Sequence, residues 1–139
     1  METARHVEIR QLIEQQITGW TGDIEKLLVT FTDTFRHEDA GAGVVSHERE
    51  ELRKFAKRLQ ESFPDGAYTI TSFMLDGDRA SIEWTFVGTQ TGKLRGLPAS
   101  NRRMSVHGAS MFELDGSKIR RQTDYWDLST MLRQLGHMP

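Results

Sequence analysis

Apolar residues recur at helical spacing near the start of the chain. Val7, Ile9, Leu12, Ile13 and Ile17, followed by Trp20, predict a first helix over residues 5–19. Thr21-Gly22-Asp23 interrupts it. Ile24, Leu27, Leu28 and Phe31 then begin a second helical face, which Thr21 or Asp23 can cap. Residues 35–45, FRHEDAGAGVV, lose any period and read as loop or short strand. Leu52, Phe55, Ala56, Leu59 and Phe63 mark the clearest helical face, with Ser46 as its capping residue and Pro64-Asp65-Gly66 as its stop. The period then changes to two. Strands are predicted over residues 67–75, 79–88, 102–114 and 118–126, and a short helix closes the chain. Helices first and antiparallel strands afterwards predict an α+β fold, with helices packed on one face of a curved sheet.

Composition narrows this picture. A chain of 139 residues fits one domain, residues 1–139, with one core and room for a small pocket. The net charge of −2 lacks the basic footprint of an obligate nucleic-acid partner. No apolar run is long enough for a membrane span. METARHVEIR has no apolar stretch of signal-peptide type, so none is expected. The absence of cysteine removes disulfides, thiol nucleophiles and thiolate metal sites, and fits a cytoplasmic location.

The candidate chemistry centres on two aspartates in RRQTDYWDLSTMLRQLG, residues 120–136. Asp127 precedes the last helical pattern and is explained as its N-cap, with Gly136 as the residue after its end. Asp124 lies inside a strand, where aspartate is disfavoured. A two-residue Asp115-Gly116 turn sets His107 opposite Asp124; a slipped register brings Ala109 or Ser110 there instead. The pair is either a surface cross-strand contact or an acid/base pair in a pocket. Trp126 and Met111 fall on the same predicted face and favour a pocket, since pockets are lined with aromatics. Trp84, on the clean apolar face of Ile82 and Phe86, reads as core. His37-Glu38-Asp39 has the composition of a metal site but not the spacing, because neighbours on an extended chain point apart; no metal is expected. Lys93, Arg95, Arg102 and Arg103 make a basic loop, read as a solvated surface, with an anion-attracting rim as the alternative.

Four stretches carry a resemblance: SFPDGAYTI (62–70), DGDRASIEWTFVGTQTG (76–92), FELDGSKI (112–119) and DYWDLSTMLRQLG (124–136). In their order and spacing the chain resembles the SnoaL-like polyketide cyclase family of the NTF2-like superfamily. The resemblance implies a cone-shaped α+β barrel, with a bent sheet around helices and a central pocket. It implies a homodimer through the sheet and a small apolar or carbonyl-containing ligand. It also implies ring closure by acid/base catalysis, as a cyclase, isomerase or lyase, without metal or cofactor. Asp124 falls at the family's acid/base position, after Gly116-Ser117-Lys118-Ile119. Here Gln122-Thr123 replaces the His-Trp that often precedes it, and Gln90 stands where many relatives have histidine. The catalytic candidates are therefore Asp124, its carboxyl raised by burial, and His107. Trp20, at the pocket mouth, and Asp39 or His37, in a segment folding over it, are ligand-contact candidates with Trp126 and Met111. Gln90 and Gln122 are candidate donors to an enolate oxygen. A non-catalytic ligand-binding module and a dimeric interaction protein are the alternatives.

Overall fold

The computed structural model describes residues 2–139. Its elements run α1 (Ala4–Trp20), α2 (Ile24–Leu28), β1 (Phe31–Asp39), β2 (Val44–Ser46), α3 (Arg49–Ser62), β3 (Ala67–Asp76), β4 (Arg79–Thr89), β5 (Arg103–Asp115), β6 (Lys118–Trp126) and α4 (Leu128–Gln134). The six strands form one sheet in the order β2-β1-β6-β5-β4-β3. Every neighbouring pair is antiparallel except β1 and β6, which run parallel.

Local chemistry explains the boundaries. Thr3 caps α1 by accepting from the His6 amide at 3.0 Å. Ile9, Ile13, Gln16, Ile17 and Trp20 then form its buried side. Asp23 caps α2. That helix is shorter than its apolar spacing suggests, because Phe31 opens a strand instead of continuing the helix. Phe31, Phe35 and His37 alternate inward along β1, so residues 35–39 are strand and not loop. The cap of α3 is Glu48 and not Ser46, which is buried in β2. Glu51 reaches back to accept from the His47 and Glu48 amides at 3.0 and 3.1 Å. Asp127 caps α4 as expected, accepting from the Ser129 amide at 3.0 Å, and Gly136 follows that helix with φ of 80°.

The inner sheet face and the helices share one core that includes Ile9, Ile13, Leu27, Leu52, Ile82, Phe112 and Ile119. The upper half of β5 lacks β6 as a neighbour. There Gln134 of α4 accepts from the Ser105 amide at 2.7 Å and donates to the Ser105 carbonyl at 3.0 Å. One side-chain amide thus completes the ladder and covers the exposed edge.

Candidate active site

The register of β5 and β6 decides what faces Asp124. The hairpin closes with Asp115 opposite Lys118, and a bulge at Arg120 then shifts the pairing again, so that Glu113 meets Arg121. Ser110, not His107, lies opposite Asp124. The total offset from the expected register is odd, which turns His107 and Met111 to the outer face. His107 is exposed and its Nδ1 meets the Thr85 hydroxyl at 3.0 Å; Met111 is 51% exposed. Neither reaches the inner side.

The partner of Asp124 is His37, delivered by the parallel strand β1. His37 Nε2 lies 2.8 Å from Asp124 Oδ2. The ring is fully buried, with the Trp20 ring centroid 5.2 Å away and Phe31 standing edge-on at 6.3 Å. Asp124 Oδ1 accepts from the Ser110 hydroxyl at 2.6 Å and from Gln122 Nε2 at 2.8 Å. Each donor is itself oriented. The Trp84 indole N–H donates to Ser110 Oγ at 2.9 Å, and because indole only donates, the Ser110 proton is left for Asp124. Gln16 Nε2 donates to Gln122 Oε1, which turns the Gln122 amino group toward Asp124. His37 Nδ1 and Gln16 Oε1 are buried without partners.

Burial pushes the Asp124 carboxyl up, but the charge and hydrogen bond of His37, with the bonds from Ser110 and Gln122, outweigh it. The group is held below its ordinary value, opposite to the rise expected from an apolar wall alone. Asp39 behaves in the other sense. It is the strand neighbour of Asp124 in β1. Burial and the Asp124 charge raise it to about 6, against the pull of the Ala42 amide and the Trp126 indole. Those two groups donate to Asp39 Oδ1 at 2.8 and 2.6 Å. Burial and the two carboxylates also push the Tyr68 phenol well above its ordinary value, so its proton stays on.

Asp124, Asp39 and Tyr68 open into one cavity of about 410 Å³. Trp20, Phe55, Trp84, Phe86 and Trp126 form its aromatic wall, Leu128 and Met131 of α4 close one side, and Arg58, Lys93 and Arg95 stand along it. The volume is that of a small-molecule site. Of the candidates named from sequence, Asp124, Asp39, Trp20 and Trp126 meet at this cavity. Gln122 sits directly behind Asp124. Gln90 does not join them: its amide bonds Gly92, Pro98, Ser100 and His137, so it braces the loop. Trp84 is buried core and cavity wall at once. His37 was not anticipated as the partner of Asp124, nor was Tyr68; Ser110 was the slipped-register alternative. The inward alternation of Phe31, Phe35, His37 and Asp39 is the signal that points to the first.

The family model for SnoaL-like polyketide cyclases matches residues 9–135. Aklanonic acid methyl ester cyclase DauD of Streptomyces sp. (strain C5) is 27% identical over 135 residues, covering 92% of this chain and 79% of that protein. The solved structure of TsrD from Streptomyces laurentii is 29% identical, with a TM-score of 0.85 over 99% of this chain and 100% of that one. A hypothetical protein with a ketosteroid isomerase-like fold from Catenulispora acidiphila, solved in complex with trimethylamine, is 25% identical, with a TM-score of 0.79 over 93% and 94% of the two chains.

Proposed function

The chain belongs to the SnoaL-like polyketide cyclase family, and on that premise we propose that it closes a ring in a small carbonyl compound by acid/base catalysis without a cofactor. One observation carries the reading: a carboxylate oriented by three donors, Asp124, opens into a largely aromatic cavity of small-molecule size. In this reading Asp124 takes a proton from a carbon beside a carbonyl. The carbanion, delocalised as an enolate, then attacks a second carbonyl carbon of the same molecule. A carbon–carbon bond forms, and the attacked oxygen becomes an alkoxide that must be protonated. Tyr68, which keeps its phenolic proton, supplies a hydrogen bond to the enolate oxygen.

The low basicity of Asp124 narrows the substrate. A carboxylate held below its usual range removes only an acidic proton at a useful rate. A carbon flanked by two electron-withdrawing carbonyls, as in a β-keto ester, suits a base of that kind. Because the curated relative is named for aklanonic acid methyl ester, that compound is the first to test. Conversion to an isomer of equal mass and altered retention, lost in Asp124→Asn with the fold retained, is the expected result. Full activity of Asp124→Asn would remove Asp124 from the reaction.

A second reading is favoured by the wall itself. Aromatic faces beside two carboxylates suit an ammonium group, and one relative was solved with trimethylamine. Calorimetric titration with trimethylamine and with the ester separates a binding module from a cyclase. The homodimer belongs to the same proposal. Its surface is the outer sheet face, where Met74, Met111 and Tyr125 are 65%, 51% and 52% exposed.

A further inference from the structure

Asp39 is the carboxyl beside Asp124 that the chemistry above leaves unused. Both hydrogen bonds accepted by its side chain, from Ala42 and Trp126, fall on Oδ1. Oδ2 is left to the cavity. Asp124 is the reverse case, with donors on both oxygens. The two residues are direct partners in the parallel β1–β6 ladder and border the same cavity. Neighbouring strands lie about 4.8 Å apart, so the two carboxyls face one bound molecule from adjacent positions.

We propose that Asp39 is a second catalytic residue: it carries on Oδ2 the proton that the new alkoxide takes up, and it shares that single proton with Asp124. The inference rests on the cyclase reading. Below about pH 6 the resting enzyme holds Asp124 as the anion and Asp39 as the acid. Asp124 accepts the proton leaving carbon as the carbon–carbon bond forms, and Asp39 gives its proton to the alkoxide. The enzyme then holds Asp124 protonated and Asp39 ionised. One transfer from Asp124 to Asp39, the group that holds the proton more tightly, restores the start. Nothing is consumed, and substrate and product are isomers.

The groups facing Asp39 are consistent with this role. Asp124 comes from β6, His37 from its own strand and Tyr68 from β3. Arg58 and Glu61 of α3 and Lys93 and Arg95 of the loop between β4 and β5 share the cavity. Arg95 donates to the Ala42 carbonyl at 3.0 Å, in the turn that also donates to Asp39. The neighbouring negative charge opposes ionisation of Asp39, and the hydrogen bonds on Oδ1 hold its orientation.

Two measurements test the proposal. The first is a carbon NMR titration of aspartate-labelled protein without ligand. A resonance absent from Asp39→Asn should titrate near pH 6, and its midpoint should fall in Asp124→Asn, where the neighbouring charge is gone. An ordinary midpoint for Asp39 overturns the shared proton whether or not any substrate is turned over. The second is the pH profile of turnover of aklanonic acid methyl ester. The wild type should show a bell with its alkaline limb near pH 6. Asp39→Asn should lose that limb and at least tenfold in kcat with little change in KM, and Asp39→Glu should restore the limb. An unchanged profile and kcat in Asp39→Asn overturns the assignment. If the wild type does not convert the ester, the cyclase reading loses its support on that compound, and the titration alone decides where the proton sits. If Asp39→Asn does not fold, the wild-type titration and Asp39→Glu carry the test.

Discussion

His37 and Asp124 are a buried pair whose members depend on each other. Truncating one partner of such a pair leaves an uncompensated charge and typically costs about 3–5 kcal/mol. His37→Ala is expected to lose stability of that order in urea denaturation at pH 7. Asp124 is held low in the folded state, so its contribution is complete above its unfolded value, about 3.9, and is lost as pH falls through its folded value. The gap between wild type and His37→Ala should therefore shrink below about pH 4. Asp39 has the opposite sign. Its folded value of about 6 lies above the unfolded one, so its contribution is present below about 3.9 and lost as pH rises through 6. Asp39→Asn, which cannot ionise, should be more stable than wild type above pH 7, by on the order of 2 kcal/mol, with the advantage gone at pH 4. Thermal melts across that range check both signs. At this scale Asp124 was legible because a strand aspartate without a structural role stands out. His37 was not, since Asp33 and Thr34 interrupt the alternation that marks β1 and the histidine sits among charged neighbours.

Elements bring these residues together, and their register matters more than their existence. The strands from 67 onward, and the caps of α2 and α4, follow from periodicity and local chemistry. The β5–β6 offset does not, because a bulge at Arg120 depends on tertiary packing and has no glycine or proline to announce it. Added to the shift at the turn, that extra residue separates a site built on His107 from the one built on Ser110 and His37. The turn between β1 and β2 is equally particular. A Cβ at Gly41 would lie 2.4 Å from the Trp126 ring, the same ring whose N–H holds Asp39. Gly41→Ala should displace that ring, cost about 1–3 kcal/mol and weaken ligand binding measured by calorimetry. Gln134→Ala tests the cover on β5. Loss of its two bonds to Ser105 should cost about 1 kcal/mol and speed hydrogen exchange at the Ser105 amide.

For the whole molecule, sequence pattern and resemblance agree on the α+β barrel, and the solved relatives superpose on it closely. The parallel β1–β6 contact was not foreseen, and it is what sets His37 and Asp39 against Asp124. If the outer sheet face pairs two copies, Tyr125→Arg should give a monomer in sedimentation and leave the cavity intact, because Tyr125 points away from it. No described helix is long and apolar enough to cross a membrane. The chain contains three tryptophans, and all three, Trp20, Trp84 and Trp126, border the cavity. Essentially all of the protein's indole emission therefore originates at the site. A ligand that enters changes the surroundings of every emitter at once, and one that absorbs where indole emits would be a close acceptor for each. The protein carries its own optical reporter, and compounds can be screened by the quenching they cause before any reaction is known.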